Sequence, residues 1–199
     1  MNITQPIRSK DDLKKLRNYY IDKHPNKRNY LLIVMALNTA LRISDVLNLR
    51  WSDVYDIHVM DFKTHIIIEE KKTGKKARVY INDTLKSALS IYLDECLSKR
   101  KFMAAVINRY IFTGQKSANR SISRVQAFRI ITKAADESNI KQQVSCHSLR
   151  KTFGYQAWKQ GVSPALLTNI YNHSSYKVTV RYLGIEQDDR DEAFRNIKL

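Results

Sequence analysis

Four short segments hold residue types that could act together on a phosphodiester. They are Thr39-Ala40-Leu41-Arg42-Ile43-Ser44-Asp45, the turn Lys72-Thr73-Gly74, His147-Ser148-Leu149-Arg150, and Asn172-His173-Ser174-Ser175 followed by Tyr182, nine positions after His173. Together they supply two arginines, a lysine, two histidines and a tyrosine, with no acidic pair. Cleaving a phosphodiester without a metal requires cations on the non-bridging oxygens, a nucleophile, and a proton donor for the leaving oxygen. Arginine forks onto two phosphate oxygens. A tyrosine hydroxyl, with an ordinary pKa of about 10, attacks only if its proton is taken or cations favour the phenolate. A lysine on a hairpin turn can reach a leaving 5′-oxygen as general acid. The inventory suits covalent phosphoryl transfer.

Taken singly, each residue also has a structural explanation. Arg42 could cap the carbonyls of an apolar helix, His147 could simply open a helix, and His173 could be a turn histidine. Tyr182 is one of 11 tyrosines, and Lys72 by itself reads as a solvated turn lysine. Their occurrence together, in one order, favours the chemical reading. Neither histidine has a partner at metal-ligand spacing and no Cys-x-x-Cys pair exists, so neither metal nor cofactor is expected. Cys146 beside His147 suggests a thiol nucleophile, but adjacent residues at a helix start point in different directions.

The elements that must position these residues are legible in the patterning. Ser9-Lys10-Asp11-Asp12 has the form of a capping box ahead of Leu13, Leu16 and Tyr20 at helical spacing. A second helix, about residues 27–40, is apolar on nearly all sides and belongs in the core. A short third helix starts near Ser44. Ile66-Ile67-Ile68 and the alternating Ala77, Val79 and Ile81 read as two strands around the Lys72-Thr73-Gly74 turn, with one apolar and one basic face. Helical spacing returns over about 83–101, after the capping pattern Ser123…Gln126, and over 147–160 with Gly161 as a cap. Ser163-Pro164 opens another helix, Gly184 ends a further one, and about 189–198 forms a last amphipathic helix. The fold class expected is mainly α with a small antiparallel β-sheet (α+β), in one domain over residues 1–199.

Composition bounds the partners. The chain has 199 residues, 35 Lys+Arg against 19 Asp+Glu, and a formal net charge of +16. Hydrophobic residues make up 43%, enough for a real core, so general disorder is excluded. The surplus marks a polyanion partner, nucleic acid first and an anionic membrane surface second, without separating DNA from RNA. The apolar stretch between Arg28 and Arg42 is too short to span a bilayer. Two cysteines and no secretory pattern fit a reducing cytoplasm.

The order Arg42, Lys72, His147-x-x-Arg150, His173, Tyr182 resembles the catalytic domain of the tyrosine recombinases, which include phage integrases and fimbrial-switch invertases. The likeness runs over about residues 9–190, with Ala40-Leu41-Arg42-Ile43-Ser44-Asp45-Val46-Leu47-Asn48-Leu49 as its most telling text. The resemblance implies that Arg42 and Arg150 clamp the scissile phosphate and that His173 hydrogen-bonds to it. It implies that Lys72 protonates the leaving 5′-hydroxyl and that His147 helps take the proton from Tyr182, which forms a 3′-phosphotyrosyl bond. Asp45 stands where the family carries an acidic residue that steadies the site. Neither metal nor ATP is implied. The implied partners are double-stranded DNA, three further copies in a tetramer on DNA (a monomer in solution) and an accessory DNA-bending or directionality protein, with no membrane. The closing helix, about 189–199, resembles a tail exchanged between protomers.

Three departures accompany the likeness. Asn172 stands where a glycine is usual, Lys71 and Lys75 flank Lys72, and the usual N-terminal core-binding domain is not expected in this chain. Integration, excision and inversion all fit such an enzyme, encoded by a phage or other mobile element. A non-cleaving DNA-binding regulator derived from a recombinase domain is the alternative, and relaxation of DNA is a conceivable side activity. For either DNA function, affinity is expected to fall by orders of magnitude between low and physiological salt if about six to ten phosphates are contacted. Salt-insensitive binding in an anisotropy titration would count against both.

Overall fold

The computed structural model describes residues 4–100, 103–114, 117–185, 189 and 194–197. Its first two helices start by the same device. Ser9 Oγ accepts the Asp12 amide at 3.2 Å, and Asn26 Oδ1 accepts the Asn29 amide at 3.0 Å. Each side chain satisfies an amide that a first helical turn leaves free. Helix α1 (Lys10–Asp22) buries only Leu16, Tyr19 and Tyr20. Helix α2 (Lys27–Asn38) buries Leu31 through Ala36 without a break, so it forms the axis of the main core.

The chain leaves α2 through Thr39 and Ala40, two residues earlier than the apolar pattern alone predicts. Ala40 adopts a left-handed φ of 54°, a conformation that costs an L-residue about 1–2 kcal/mol. The turn places Arg42 at the start of α3 (Ile43–Val46). A further short helix, α4 (Trp51–Val54), has no clear signature in the sequence; it is anchored by the fully buried Trp51.

The β structure consists of three two-stranded antiparallel ladders among the described residues. They are β1 (Tyr55–Asp56) with β2 (Asp61–Phe62), β3 (His65–Glu69) with β4 (Lys76–Tyr80), and β5 (Thr113–Gly114) with β6 (Ser117–Ser121). In the second ladder Ile66 pairs with Val79 and Ile68 with Ala77, which makes the expected apolar face. The other face is mixed rather than basic. Side chains alternate along a strand, so a run of three isoleucines must turn one outward, and Ile67 and Tyr80 are both exposed beside Lys76 and Arg78.

Helices α5 (Asp83–Arg100), α6 (Arg124–Glu137), α7 (Cys146–Lys159), α8 (Pro164–Ile170) and α9 (Tyr176–Leu183) complete the fold. Serines 123, 145, 163 and 175 cap the last four, each accepting the amide three residues on. The architecture is thus mainly α with small antiparallel ladders, as the patterning implies. Of the closing helix expected over 189–199, residues 194–196 are helical, and 190–193 and 198–199 lie outside the described residues.

A second, smaller core joins α7, α8 and α9 through Ala40, Leu167, Tyr171 and Leu183, with Phe153 and Tyr182 packed on it. Its closest approach is at Gly154, where an added Cβ would stand 2.4 Å from both Leu183 Cδ2 and Tyr171 Oη. The N-terminal segment straps the same region. Ile7 is buried, its amide donates to Thr152 Oγ1 at 2.8 Å, and the Arg8 guanidinium donates to the Gly184 carbonyl at the end of α9. Replacing Gly154→Ala is expected to overpack this core and cost about 1–3 kcal/mol. Thermal unfolding should register that as a melting point lower by several degrees, at about 2–4 °C per kcal/mol for a chain of this size.

Candidate active site

Arg42, Lys71, Lys72, Arg124, His147 and Arg150 line one open cleft of about 700 Å³. Two buried carboxylates brace residues of its lining near the β3–β4 turn. Asp45 is 3% exposed, and its Oδ1 accepts the Lys71 amide at 3.2 Å, which ties the turn bearing Lys72 to α3. Glu70, 2% exposed, accepts the Thr73 hydroxyl at 2.6 Å and pairs with Arg42 Nη1 at 2.8 Å. Glu70 escapes sequence reasoning, since it sits unmarked between Glu69 and a run of lysines. Burial works to raise its pKa, but the Thr73 hydroxyl and the charges of Arg42 and Arg150 prevail and hold it below the usual glutamate range.

Arg42 Nη1 stands 2.8 Å from Glu70 Oε2, a close ion pair whose geometry falls short of a well-aligned hydrogen bond. Arg150, 3% exposed, lies with its guanidinium 5.0 Å from the Tyr171 ring centre, and its one hydrogen bond to the Tyr171 carbonyl is long, at 3.4 Å. Burial, foremost, lowers the Arg150 pKa without threatening its charge. Five buried side-chain polar atoms lack a hydrogen-bond partner among the described residues. Four of them are Arg42 Nη1, Asp45 Oδ2, Arg150 Nε and Tyr182 Oη, all at this site. Unsatisfied polar groups are costly and rare in native interiors, so such a concentration calls for a ligand rather than an error of packing.

Tyr182 reaches the cluster from α9. Its ring stands edge-on to His147 at 5.1 Å and to His173 at 4.9 Å between ring centres, and it lies 5.1 Å from Tyr171. Burial pushes its hydroxyl up to about 12, although Arg150 and Arg42 pull the other way. The hydroxyl is therefore protonated at neutral pH and needs a base. His147 lies at the start of α7 and keeps contact with solvent. Burial, foremost, and the charges of Lys151, Arg150, Arg42 and Lys72 lower its pKa to about 4, which keeps the imidazole neutral. His173 stacks on Tyr171, with Nδ1 3.0 Å from Thr179 Oγ1, and burial and the two arginines lower its pKa as well.

The structure brings Arg42, Asp45, Lys72, His147, Arg150, His173 and Tyr182 to one place. Asn172, where a glycine was anticipated, holds the left-handed φ of 55° that a glycine would supply, and asparagine tolerates it better than most residues. Lys71 shares the cleft rim with Lys72. Cys146 also lines the cleft, but burial raises its thiol to about 11, so it is no thiolate at neutral pH. Besides Glu70, sequence reasoning missed Lys151, whose Nζ stands 5.3 Å over the Tyr182 ring while donating to the Thr4 carbonyl at 2.7 Å. The mid-helix Gly154 was the available signal for the tight packing beneath the site.

Helices around two open arginines, two neutral histidines and a buried tyrosine define the class of DNA-breaking and -rejoining enzymes that work through tyrosine. The chain belongs to the phage integrase family, whose model matches residues 8–188, and it is a site-specific recombinase of the tyrosine type. It is 36% identical over 195 residues to the probable integrase/recombinase YoeC of Bacillus subtilis, covering 98% of this chain and 97% of that one. It is 25% identical over 173 residues to a tyrosine recombinase of Pseudothermotoga lettingae, covering 86% of this chain and 54% of that one, so it spans about half the length of that relative. The crystal structure of XerA recombinase has the same fold, with a TM-score of 0.77 at 23% identity over 98% of this chain and 67% of that one.

Because Glu70 has a lowered pKa in the folded chain, its contribution to stability is present above the ordinary glutamate pKa and is lost as pH falls through the lowered value. Glu70→Gln is expected to cost about 1–3 kcal/mol at neutral pH by leaving Arg42 unpaired. Denaturant titrations across acid pH should show a shallower loss of stability in the variant than in the parent.

Proposed function

We propose that the chain binds double-stranded DNA across this cleft and cuts it with Tyr182, forming a 3′-phosphotyrosyl bond and releasing a 5′-hydroxyl. The observation that carries this reading is the grouping of Arg42, Arg150 and Tyr182, whose Nη1, Nε and Oη are buried without a hydrogen-bond partner among the described residues. Arg42 and Arg150 hold the non-bridging oxygens, and His173 adds a third contact. His147 receives the Tyr182 proton. A bound phosphate offsets the cations that depress His147, so its basicity rises when substrate arrives. Lys72 delivers a proton to the leaving oxygen, and Asp45 steadies its turn through the Lys71 amide. The phosphotyrosyl bond conserves the energy of the phosphodiester, so strand exchange needs neither metal nor ATP. Tyr182 packs beside Arg150 of its own chain, which supports cleavage in cis.

The chain acts as one catalytic unit, monomeric in solution and tetrameric on DNA in the cytoplasm of a prokaryotic cell. An accessory protein sets whether it integrates, excises or inverts. Exposed Phe194 and Ile197 near the C-terminus, with exposed Leu166 and Ile170 on α8, support a tail-to-neighbour contact in that tetramer. Among the described residues no helix is long and apolar enough to cross a membrane.

Incubating the protein with supercoiled plasmid carrying the DNA that flanks its own gene, in EDTA and low salt, then stopping with SDS, should trap covalent protein–DNA adducts. Tyr182→Phe should abolish them. Adducts that persist in the variant would place the nucleophile elsewhere, and tight binding without adducts in the parent would favour a non-cleaving regulator. Lys72→Ala is expected to slow cleavage by about 10²–10⁴-fold. A substrate whose leaving 5′-oxygen is replaced by sulfur should restore the rate, because a thiolate leaves without a proton. Restoration in Lys71→Ala instead would reassign the general acid.

A further inference from the structure

Tyr171, fully buried at the end of α8, touches Arg150, His173 and Tyr182 at once. Its ring centre lies 5.0 Å from the Arg150 guanidinium, 5.2 Å from the His173 ring, which stacks on it at 17°, and 5.1 Å from the Tyr182 ring. Tyr171 and Arg150 also clasp each other's backbone. Tyr171 Oη donates to the Arg150 carbonyl at 2.7 Å, and Arg150 Nη2 donates to the Tyr171 carbonyl across a long 3.4 Å. Gly154 makes room for that hydroxyl, since a Cβ there would stand 2.4 Å from it. Among the described residues no carboxylate lies at ion-pair distance from Arg150, and Glu70 acts on it only at longer range. A carboxylate would hold a buried guanidinium by taking its N–H groups. The face of an aromatic ring attracts the cation and takes none of them. Arg150 Nε is accordingly buried with no acceptor among the described residues.

We infer that Tyr171 is the positioning residue of the phosphate clamp: its ring holds Arg150 by a cation–π contact and His173 by stacking, without occupying the N–H groups that meet the scissile phosphate. The inference rests on the reading that Arg150 and His173 hold that phosphate. Tyr182 leans on the same ring, so the nucleophile is held in register with the clamp it must attack beside. Phe153 braces the ring edge-on at 6.5 Å between centres, which ties the platform to α7. Tyr171 is not a second nucleophile. Its hydroxyl is committed to the Arg150 carbonyl, and burial, foremost, raises its pKa far above the ordinary value. A leucine at this position would fill part of the same space but offer no π face to the guanidinium.

The test compares rates of adduct formation, at saturating full-length protein, on two duplexes spanning the site where adducts form. One carries the ordinary scissile phosphodiester, and the other carries a methylphosphonate there, which has no charge. Arg150→Ala sets the scale: it should slow the phosphodiester far more than the methylphosphonate, because a neutral phosphorus centre gives the missing cation little to offset. Tyr171→Leu should show the same selective loss, about ten- to a hundredfold on the phosphodiester and under about threefold on the methylphosphonate. A merely structural defect would slow both substrates alike. Tyr171→Phe keeps the ring and drops the hydroxyl, and should cleave both near the parental rates. If Tyr171→Leu fails to fold, Tyr171→Met removes the ring while filling more of its volume and is read in the same way. Parental rates without the ring, equal slowing of the two substrates, or a loss in Tyr171→Phe as large as in Tyr171→Leu overturns the inference. An Arg150→Ala loss that is equal on the two substrates overturns the clamp itself, which separates failure of that reading from failure of the role given to Tyr171.

Discussion

Two guanidinium groups held in a cleft beside a buried tyrosine hydroxyl, with one carboxylate to balance them, set the terms for the rest of the molecule. Positive charges repel one another more strongly as water is withdrawn, and Arg150 is almost wholly buried. Glu70 compensates Arg42 directly and Arg150 at longer range, but it does not complete the hydrogen bonding of either. The folded chain therefore keeps an unmet demand for an anion with several acceptor oxygens. A phosphodiester meets it, and the same arginines, after burial, help lower the pKa values of His147 and His173. Stability and function are opposed here: the features that would make the cleft comfortable without DNA would make it inert with DNA.

Scaffold on both sides of the cleft bears this load. Arg42 projects from a connection forced into a left-handed turn at Ala40, and the unbroken apolar surface of α2 pins that connection to the main core. The Lys72 turn is tied down by Asp45 and Glu70 rather than left as a free hairpin. Neutral histidines follow from the same placement. Burial first and four neighbouring cations second keep the His147 imidazole neutral, and a proton acceptor is what a tyrosine held at about 12 requires.

The sequence disclosed most of the site because its chemistry depends on residue types that are uncommon in combination. Arg42, His147, Arg150, His173 and Tyr182 stand in text whose order is itself informative, and serine caps at 9, 123 and 163 mark helix starts by local rules that need no tertiary knowledge. What stayed hidden is what only three dimensions create. Glu70 and Glu69 are indistinguishable until the turn decides which one faces Arg42. Thr179 looks like any helical threonine until α8 brings Thr168 against it. The outward Ile67 and Tyr80 defeat the expected basic face because a run of isoleucines does not say which member is turned out.

The two cores divide the chemistry between them. Arg42 is followed by α3, which packs on the large one through Ile43 and Val46, whereas Tyr182 packs on the small one that docks α8 and α9 and the connection bearing His173. An isolated eight-residue helix such as α9 is not stable in water, so it exists only where Leu183, Gly184 and their partners hold it. Those partners come from the tight approach at Gly154 and from Arg8 at the carbonyl of Gly184. Helix α7 joins the halves, with Leu149 in the large core and Phe153, Ala157 and Trp158 packed on the small one. His147 and Arg150 lie on that shared helix, so the groups that must meet both the phosphate and the nucleophile are the ones whose positions both cores determine. A shift of α9 then changes the distance from Tyr182 to Arg42, whereas Arg150, packed on Tyr171 and Tyr182, stays linked to both halves. That separation suits an enzyme whose nucleophile must be bonded to DNA at one stage and released from it at the next.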